Sequence, residues 1–171
     1  MVASTPLQGL APVLDHRTRL LVLGSFPSVT SLAHGRYYAH PRNHFWPILG
    51  ALWKLPLIDM TYPERTQALL DHQLGVWDVY ASCQRAGSLD AAIQDPVPND
   101  LAALKTSCPE LVAVAHNGGE SWRHARVTRA LGWQVYRLPS SSPAHASWSL
   151  ARKVAAWREV LATHGLAPKG D

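Results

Sequence analysis

The chain has 171 residues, of which 47% are hydrophobic and 16% charged, a balance that fits a globular protein and excludes a disordered one. Its apolar runs are far shorter than the roughly 20 residues of a membrane-spanning helix. Its two cysteines are too few for an all-cysteine zinc site or a four-cysteine iron–sulfur cluster. The net charge of +4 favours an anionic partner.

The length predicts one domain spanning residues 1–171, with a core at about residues 15–164 and short flexible termini. The first residues lack the basic start and apolar core of a secretory signal. We therefore expect a cytoplasmic protein that binds no membrane, and we expect Cys108 to lie in the core rather than in a disulfide.

Four apolar runs predict β-strands at residues 19–24, 75–80, 111–116 and 134–138. Continuous apolar runs suit strands covered on both faces, as in a parallel sheet. Helical patterns occupy residues 44–53, 63–72, 100–107, 120–131 and 147–164; Asn99 is expected to cap the third helix and Gly165 to end the last. Alternating strands and helices predict an α/β fold with a central parallel sheet.

Ligands of such sheets bind beyond the carboxyl ends of the strands. The loops at that edge are residues 24–45, 78–95, 116–121 and 138–148. The first loop contains the runs Gly-Ser-Phe-Pro-Ser (24–28) and Tyr-Tyr-Ala-His-Pro-Arg-Asn-His-Phe-Trp (37–46). A loop this rich in aromatic, His, Asn and Arg side chains is not needed for a simple turn, and we predict the active site there.

The fourth loop runs Leu-Pro-Ser-Ser-Ser-Pro-Ala-His from Leu138 to His145. Three adjacent hydroxyls, with the backbone N–H groups of a following helix, would suit a phosphate group. An ordinary Ser/Pro-rich turn is the alternative interpretation. The seven basic residues between Trp122 and Arg158, with no acid among them, suggest either a nucleic-acid footprint or two solvated helix faces.

Several common motifs are missing from the sequence. It contains no G-x-G-x-x-G dinucleotide motif, no P-loop, no H-E-x-x-H and no G-x-S-x-G nucleophile elbow. The nine histidines show no metal-ligand spacing. We therefore predict no metal and no cofactor.

The two loop motifs together resemble those of the uracil-DNA glycosylase superfamily, and the runs G-S-F-P-S, Y-Y-A-H-P-R-N-H-F-W, W-D-V-Y, G-S-L-D and L-P-S-x-S-P-A most resemble its DNA-deoxyinosine (hypoxanthine) branch. The similarity runs from about Leu20 to Trp157. It implies a three-layer α/β/α fold around a four-stranded parallel sheet. It also implies a glycosylase of base excision repair that releases a flipped, deaminated base, with hypoxanthine as the favoured base.

The resemblance also implies site residues. Asn43 would be catalytic and orient the attacking water, although it could instead cap the following helix. Tyr38 would stack on the flipped base or belong to the core, and Asp78 would bind the base or have a structural, helix-capping or Arg-paired role. The predicted base-binding set is Gly24, Ser25, Phe26, Tyr38, Asp78 and Asn117. The predicted DNA-binding set is Arg42, Ser140, Ser141, Ser142, Pro143, Ala144 and His145, with Arg123 and Arg152 as further backbone contacts.

Two positions depart from the superfamily pattern. Phe26 stands where uracil glycosylases commonly have Asp or Asn, and Leu138 stands where several relatives have His. Neither side chain can orient water or polarise a uracil carbonyl, which favours a base other than uracil. No lysine lies in the predicted pocket loops and Lys153 is expected at the surface, so we predict a monofunctional enzyme without lyase activity.

Three alternatives remain open from the sequence. One is a uracil or G:U/G:T mismatch glycosylase, and another is a non-catalytic DNA-damage-binding module. The third is an unrelated α/β hydrolase acting on small nucleosides. In the favoured reading the partner is DNA that contains a deaminated base, and the protein works as a monomer.

Overall fold

The computed structural model describes residues 5–170. Its strands in chain order are β1 (Leu7–Gln8), β2 (Leu20–Gly24), β3 (Leu74–Asp78), β4 (Tyr80–Gln84), β5 (Gln94–Pro98), β6 (Ala113–Asn117) and β7 (Gln134–Leu138). Its α-helices are α1 (Val29–His34), α2 (Phe45–Trp53), α3 (Tyr62–Asp71), α4 (Leu104–Ser107), α5 (Gly119–Trp122), α6 (Ala125–Ala130) and α7 (Leu150–Thr163). The predicted flexible termini include residues 1–4 and 171, which lie outside this range.

Four parallel strands form the central sheet in the order β3-β2-β6-β7. Every residue of β2 is buried, as expected of an inner strand covered on both faces. The predicted α/β fold around a four-stranded parallel sheet is therefore confirmed. Because all four strands run the same way, their carboxyl ends and the following loops meet at one edge.

Apolar side chains cover both faces of this sheet. One cluster joins the sheet to α2, α3 and α7 and includes Phe45, Trp46 and Trp157. The other cluster includes Phe26, Tyr80, Leu104, Trp133 and both cysteines. Cys108 is buried in this second cluster, as predicted. The two apolar layers fix the sheet and leave its carboxyl edge free for polar loops.

A second, antiparallel sheet of order β1-β4-β5 was not predicted. The predicted strand at 75–80 is in fact the end of one strand and the start of another, because β3 ends at Asp78 and β4 begins at Tyr80. Val79 N–H donates to the Gly24 carbonyl at 2.8 Å, which redirects the chain there. Strand β5 is fully exposed and contains two prolines, so it lacks the apolar pattern of a strand.

Several predicted helix boundaries were wrong. The helix predicted at 120–131 is two helices, α5 and α6, separated at Arg123 and His124. Asn99 caps no helix; its amide donates to the Asp78 carbonyl at 2.8 Å. The last helix begins at Leu150 with Ser149 as its N-cap, rather than at residue 147. Pro63 does lie in the first turn of α3, as predicted.

No helix within residues 5–170 is long and apolar enough to cross a membrane.

Candidate active site

A cavity of about 340 Å³ opens at the carboxyl edge of the parallel sheet, and all four predicted loops line it. This volume is in the range typical of small-molecule sites. Most of the predicted site residues lie in its wall: Gly24, Ser25, Phe26, Tyr38, Asn43, Asp78, Asn117, Ser140, Ser141, Ser142, Ala144 and His145. Arg42 and Pro143 lie outside the lining, and Arg42 is exposed.

The first loop is held in place by Arg85, which sequence reasoning missed. Its Nη2 donates to the Pro27 carbonyl at 2.6 Å and its Nε to the Gly87 carbonyl at 2.8 Å. The guanidinium lies 5.2 Å from the centre of the Phe26 ring. Arg85 thereby joins the loop after β2 to the loop after β4, and it fixes Phe26 in the pocket wall.

Asn43 lies in the pocket wall immediately before α2. Its Oδ1 accepts the Phe45 N–H at 2.9 Å, so the side chain does satisfy a free donor at the start of this helix. A carbonyl oxygen has two lone pairs, and the amide nitrogen carries two further donors. The helix contact therefore fixes the amide while leaving hydrogen-bonding capacity directed at the cavity.

Tyr38 combines a core contact with a place in the pocket wall. Its ring stacks on Phe45 with 4.0 Å between centroids, and its Oη accepts from Asn117 Nδ2 at 3.2 Å. Its backbone has φ 54°, a left-handed conformation that is uncommon outside glycine. Burial, with a contribution from nearby Asp78, raises the pKa of the Tyr38 phenol, so the hydroxyl stays protonated.

Asn117 joins the end of β6 to the serine loop. Its Nδ2 donates to Ser141 Oγ at 3.0 Å, and its Oδ1 accepts the Ser141 N–H at 3.0 Å. With the bond to Tyr38, both amide hydrogens are engaged. The geometry therefore gives Asn117 a positioning role between two walls of the pocket.

The serine loop is held by its own hydroxyls. Ser140 Oγ accepts the Ser142 N–H, and Ser142 Oγ accepts the Ala144 N–H, both at 3.1 Å. A side chain at Gly118, where φ is 95°, would approach Ser140 Cβ to 3.1 Å, so glycine permits the loop to lie close to β6. The expected N–H groups of a helix N-terminus are not part of this loop, because α7 begins only at Leu150.

Two carboxyl groups face the cavity. Asp78 is 5% exposed and forms no ion pair within residues 5–170, which leaves the Arg-paired role without support. Burial, and then the nearby Asp90, raise the pKa of Asp78 to about 7. Asp90, which sequence reasoning missed, accepts from Ser25 Oγ at 2.6 Å, and burial raises its pKa as well.

Lys153 is fully buried, which corrects its predicted surface position. Its Nζ lies 3.2 Å from His44 Nδ1, and its pKa is lowered by burial. Both His44 and His145 have lowered pKa values, from burial first and then from the charge of Lys153. Lys153 does not line the cavity; it lies behind the serine loop, where His44 N–H donates to the Ser141 carbonyl at 2.9 Å.

No group of three or more His, Cys, Asp or Glu side chains within residues 5–170 is arranged to hold a metal ion. The cavity offers amide, hydroxyl, carboxyl and aromatic groups instead. Such groups suit a planar polar ligand and a water molecule.

Known proteins of similar sequence and fold indicate the family of this chain. The family model "Uracil DNA glycosylase superfamily" matches residues 11–161. Two curated proteins named hypoxanthine DNA glycosylase, from Methanosarcina barkeri and Methanosarcina acetivorans, are 37% and 35% identical over 154 residues, covering 90% of this chain and 97% of each relative. A solution NMR structure from Methanosarcina acetivorans, described as a candidate uracil DNA glycosylase, aligns with a TM-score of 0.80 at 33% identity, covering 91% of this chain and 99% of that one. The chain therefore belongs to the uracil-DNA glycosylase superfamily.

Proposed function

We propose that this protein is a monofunctional DNA glycosylase that hydrolyses the N-glycosidic bond of a flipped, deaminated nucleotide, with hypoxanthine as the preferred base. The observation that carries the proposal is the cavity at the carboxyl edge of the sheet, because Asn43, Tyr38 and Asp78 all line it. The near full-length similarity to two proteins named hypoxanthine DNA glycosylase supports the choice of base.

The reaction requires a water molecule beneath the anomeric carbon and a way to accept charge on the departing base. Positive charge develops on the sugar as the bond breaks, so a well-placed water can attack without a strong nucleophile. In our proposal the second lone pair of Asn43 Oδ1 accepts a hydrogen bond from that water and orients it. The bond from Phe45 N–H holds the amide in the orientation that this requires.

Aromatic side chains would hold the flipped base. Tyr38 and Phe26 both line the cavity, and their rings are fixed by Phe45 and by Arg85 respectively. Stacking on an aromatic ring contributes about 1–3 kcal/mol per base. Gly24 leaves room for the Asp78 carboxylate and the Tyr38 hydroxyl in the pocket wall, because a side chain at this position would clash with both groups.

The serine loop would contact the DNA backbone on either side of the flipped nucleotide. Ser140, Ser141 and Ser142 line the cavity, and Pro143, Ala144 and His145 follow them. We assign the serines to phosphate contacts, the following three residues to the gap left in the duplex, and exposed Arg42 to a phosphate.

None of the four lysines lines the cavity, which supports hydrolysis without a Schiff base and hence without lyase activity. We also propose that the enzyme acts as a monomer on chromosomal DNA in the cytoplasm. It would need no cofactor, because water, Asn43 and the base-binding groups supply the chemistry.

The test is base release from labelled oligonucleotides carrying deoxyinosine, uracil, xanthine or a G:T mismatch, with alkali to cut abasic sites. We expect release from the deoxyinosine strand to be the fastest. Dominant release of uracil would keep the family and overturn the base preference, which rests on Phe26 and Leu138. Binding of damaged duplex with no base released would support a binding module instead, and activity on free deoxyinosine alone would support a nucleoside hydrolase.

A further inference from the structure

Asp78 occupies an unusual position for a carboxylate. It is the last residue of β3, it is 5% exposed, and it lines the cavity. Its Oδ2 is buried and has no hydrogen-bond partner within residues 5–170. A buried polar atom without a partner is costly unless a ligand completes its bonding. The orphaned oxygen therefore points to a polar group on the molecule that fills the cavity.

Burial, and then the like charge of Asp90, disfavour the ionised form of Asp78. Asp90, from the turn before β5, adds like charge, and the phenols of Tyr37 and Tyr38 are the other titratable groups that face it. Arg85 is the nearest cation, but two of its nitrogens already bond to the carbonyls of Pro27 and Gly87. At neutral pH a substantial fraction of Asp78 is thus a neutral carboxylic acid, with a proton to donate.

We propose that Asp78 is the general acid of the reaction and donates its proton to N7 of the flipped hypoxanthine as the C1′–N9 bond breaks. This inference rests on the proposed function and names the group that stabilises the leaving base. A carboxylic acid in a desolvated pocket is well suited to such a transfer.

The C1′–N9 electron pair stays with N9, the Asp78 proton forms the N7–H bond, and hypoxanthine leaves as a neutral tautomer. Water oxygen bonds to C1′, and the proton that the water loses returns to the Asp78 carboxylate through solvent. A uracil base offers no free ring nitrogen for this transfer, because N1 is the glycosidic nitrogen and N3 already carries a hydrogen.

The experiment measures single-turnover base release by the full chain between about pH 5 and pH 9. With deoxyinosine, the wild-type rate is expected to fall about tenfold per pH unit above the Asp78 titration. Asp78→Asn is expected to slow release by at least about 10²-fold and to remove this pH dependence. With 7-deazadeoxyinosine, which has no N7 acceptor, the wild type is expected to be slow and independent of pH over the same range.

Asp90→Asn is the matched control, because it removes the like charge and leaves the proposed donor in place. We expect this variant to keep the pH-dependent fall in rate but to move the midpoint of that fall to lower pH.

A pH-dependent fall in rate that persists in Asp78→Asn, or equal rates on deoxyinosine and its 7-deaza analogue, would overturn the proposal. The analogue and Asp90→Asn test it even if Asp78→Asn fails to fold. Wild-type enzyme that releases no hypoxanthine at any pH would overturn the proposed function itself, whereas release with a flat pH profile would overturn only the role of Asp78.

Discussion

The Asn43 side-chain amide accepts a hydrogen bond from the backbone of α2 and, in the proposed mechanism, also orients the attacking water. The two roles can be separated by the choice of substitution. Loss of a side-chain acceptor at a helix start costs about 0.5–2 kcal/mol of stability, too little to unfold most domains. The loss of water orientation should therefore appear in the rate rather than in the fold.

We predict that Asn43→Ala slows single-turnover base release at least about tenfold, whereas duplex binding survives. Asn43→Asp keeps an acceptor for the Phe45 N–H and for water, and should start α2 normally and lose less activity. Base-release kinetics beside anisotropy with duplex DNA would measure both effects. An Asn43→Ala enzyme with the wild-type rate would remove Asn43 from the mechanism.

Asp78 should also have a measurable effect on stability. A carboxyl whose pKa is raised from 3.8 to about 7 binds its proton more tightly in the folded state, so stability falls as pH rises through that interval. The penalty reaches about 4 kcal/mol above the folded pKa. Asp78→Asn should thus be more stable than the wild type in urea at pH 8, and this advantage should shrink or vanish at pH 5. An advantage equal at both pH values would contradict the prediction.

The roles of residues in recognisable motifs could be predicted from the sequence. The roles of residues that long-range packing brings to the site could not. Asn43, Tyr38 and Asp78 follow strands or lie in a distinctive loop, and the structure places all three in the cavity. Asp90 and Arg85 lie in the connection between β4 and β5 of the second sheet, and this sheet was not predicted from the sequence. Lys153 was expected at the surface, and only the fold reveals that α7 turns it inward.

At the scale of elements, Arg85 ties two loops that line the cavity. We predict that Arg85→Met lowers kcat and raises KM together, because Phe26 and the loop after β4 lose their common support. The lost bond to the carbonyl of buried Pro27 should also cost about 1–3 kcal/mol of stability. Urea unfolding and steady-state kinetics would measure these effects. Arg126→Met, at an exposed position of α6, is the control and should match the wild type.

His116 fixes β6 to α5 and α6. Its Nδ1 lies 2.8 Å from Ser121 Oγ, and its Nε2 lies 2.8 Å from Thr128 Oγ1. Because the Ser121 hydroxyl donates to the Leu23 carbonyl, His116 is the donor at Nδ1. Burial lowers the pKa of His116 to about 4, so the imidazole is neutral at pH 7.

Protonation of this histidine should destabilise the fold in acid. The unfolded state binds the proton more tightly, so stability falls as pH drops from the unfolded pKa of 6.5 towards 4, by about 3 kcal/mol from this group. Denaturant unfolding at several pH values would show the loss. His116→Gln should be less stable at pH 7 and should show a flatter acid dependence; an unchanged acid slope would assign the loss to other histidines.

Helices and strands with a strong apolar or periodic sequence pattern could be predicted, whereas those without such a pattern could not. The strands β2 and β7 were predicted to within one residue, because they combine apolar runs with polar boundaries. Strand β5 gave no signal, since two prolines and an exposed backbone resemble a loop. At the break between α5 and α6, the Tyr80 hydroxyl from a distant strand contacts Glu120 and His124, and such a long-range contact has no signal in the sequence.

At the scale of the whole molecule, the net charge of +4 should govern DNA affinity. Each phosphate contact contributes about 0.9 to the slope of log affinity against log salt. We predict that Arg42→Ala reduces that slope by about one unit on an inosine-free duplex. Arg123 is already paired with Glu120 at 3.1 Å, so Arg123→Ala should reduce it less. Fluorescence anisotropy over a salt series would measure both slopes, and equal slopes for wild type and Arg42→Ala would exclude the contact.

The bonds between Asn117 and Ser141 have a consequence for how the active protein arises during synthesis. The strand order places β2 in the interior and β7 at an edge, so the serine loop is added to a sheet whose other strands come earlier in the chain. Until β7 has paired with β6, Asn117 has no serine loop to hold, and the cavity lacks one of its walls. A nascent chain that ends before the serine loop can form much of the sheet but cannot assemble the site. The topology thus delays any action on DNA until β7 and the serine loop that follows it have been synthesised.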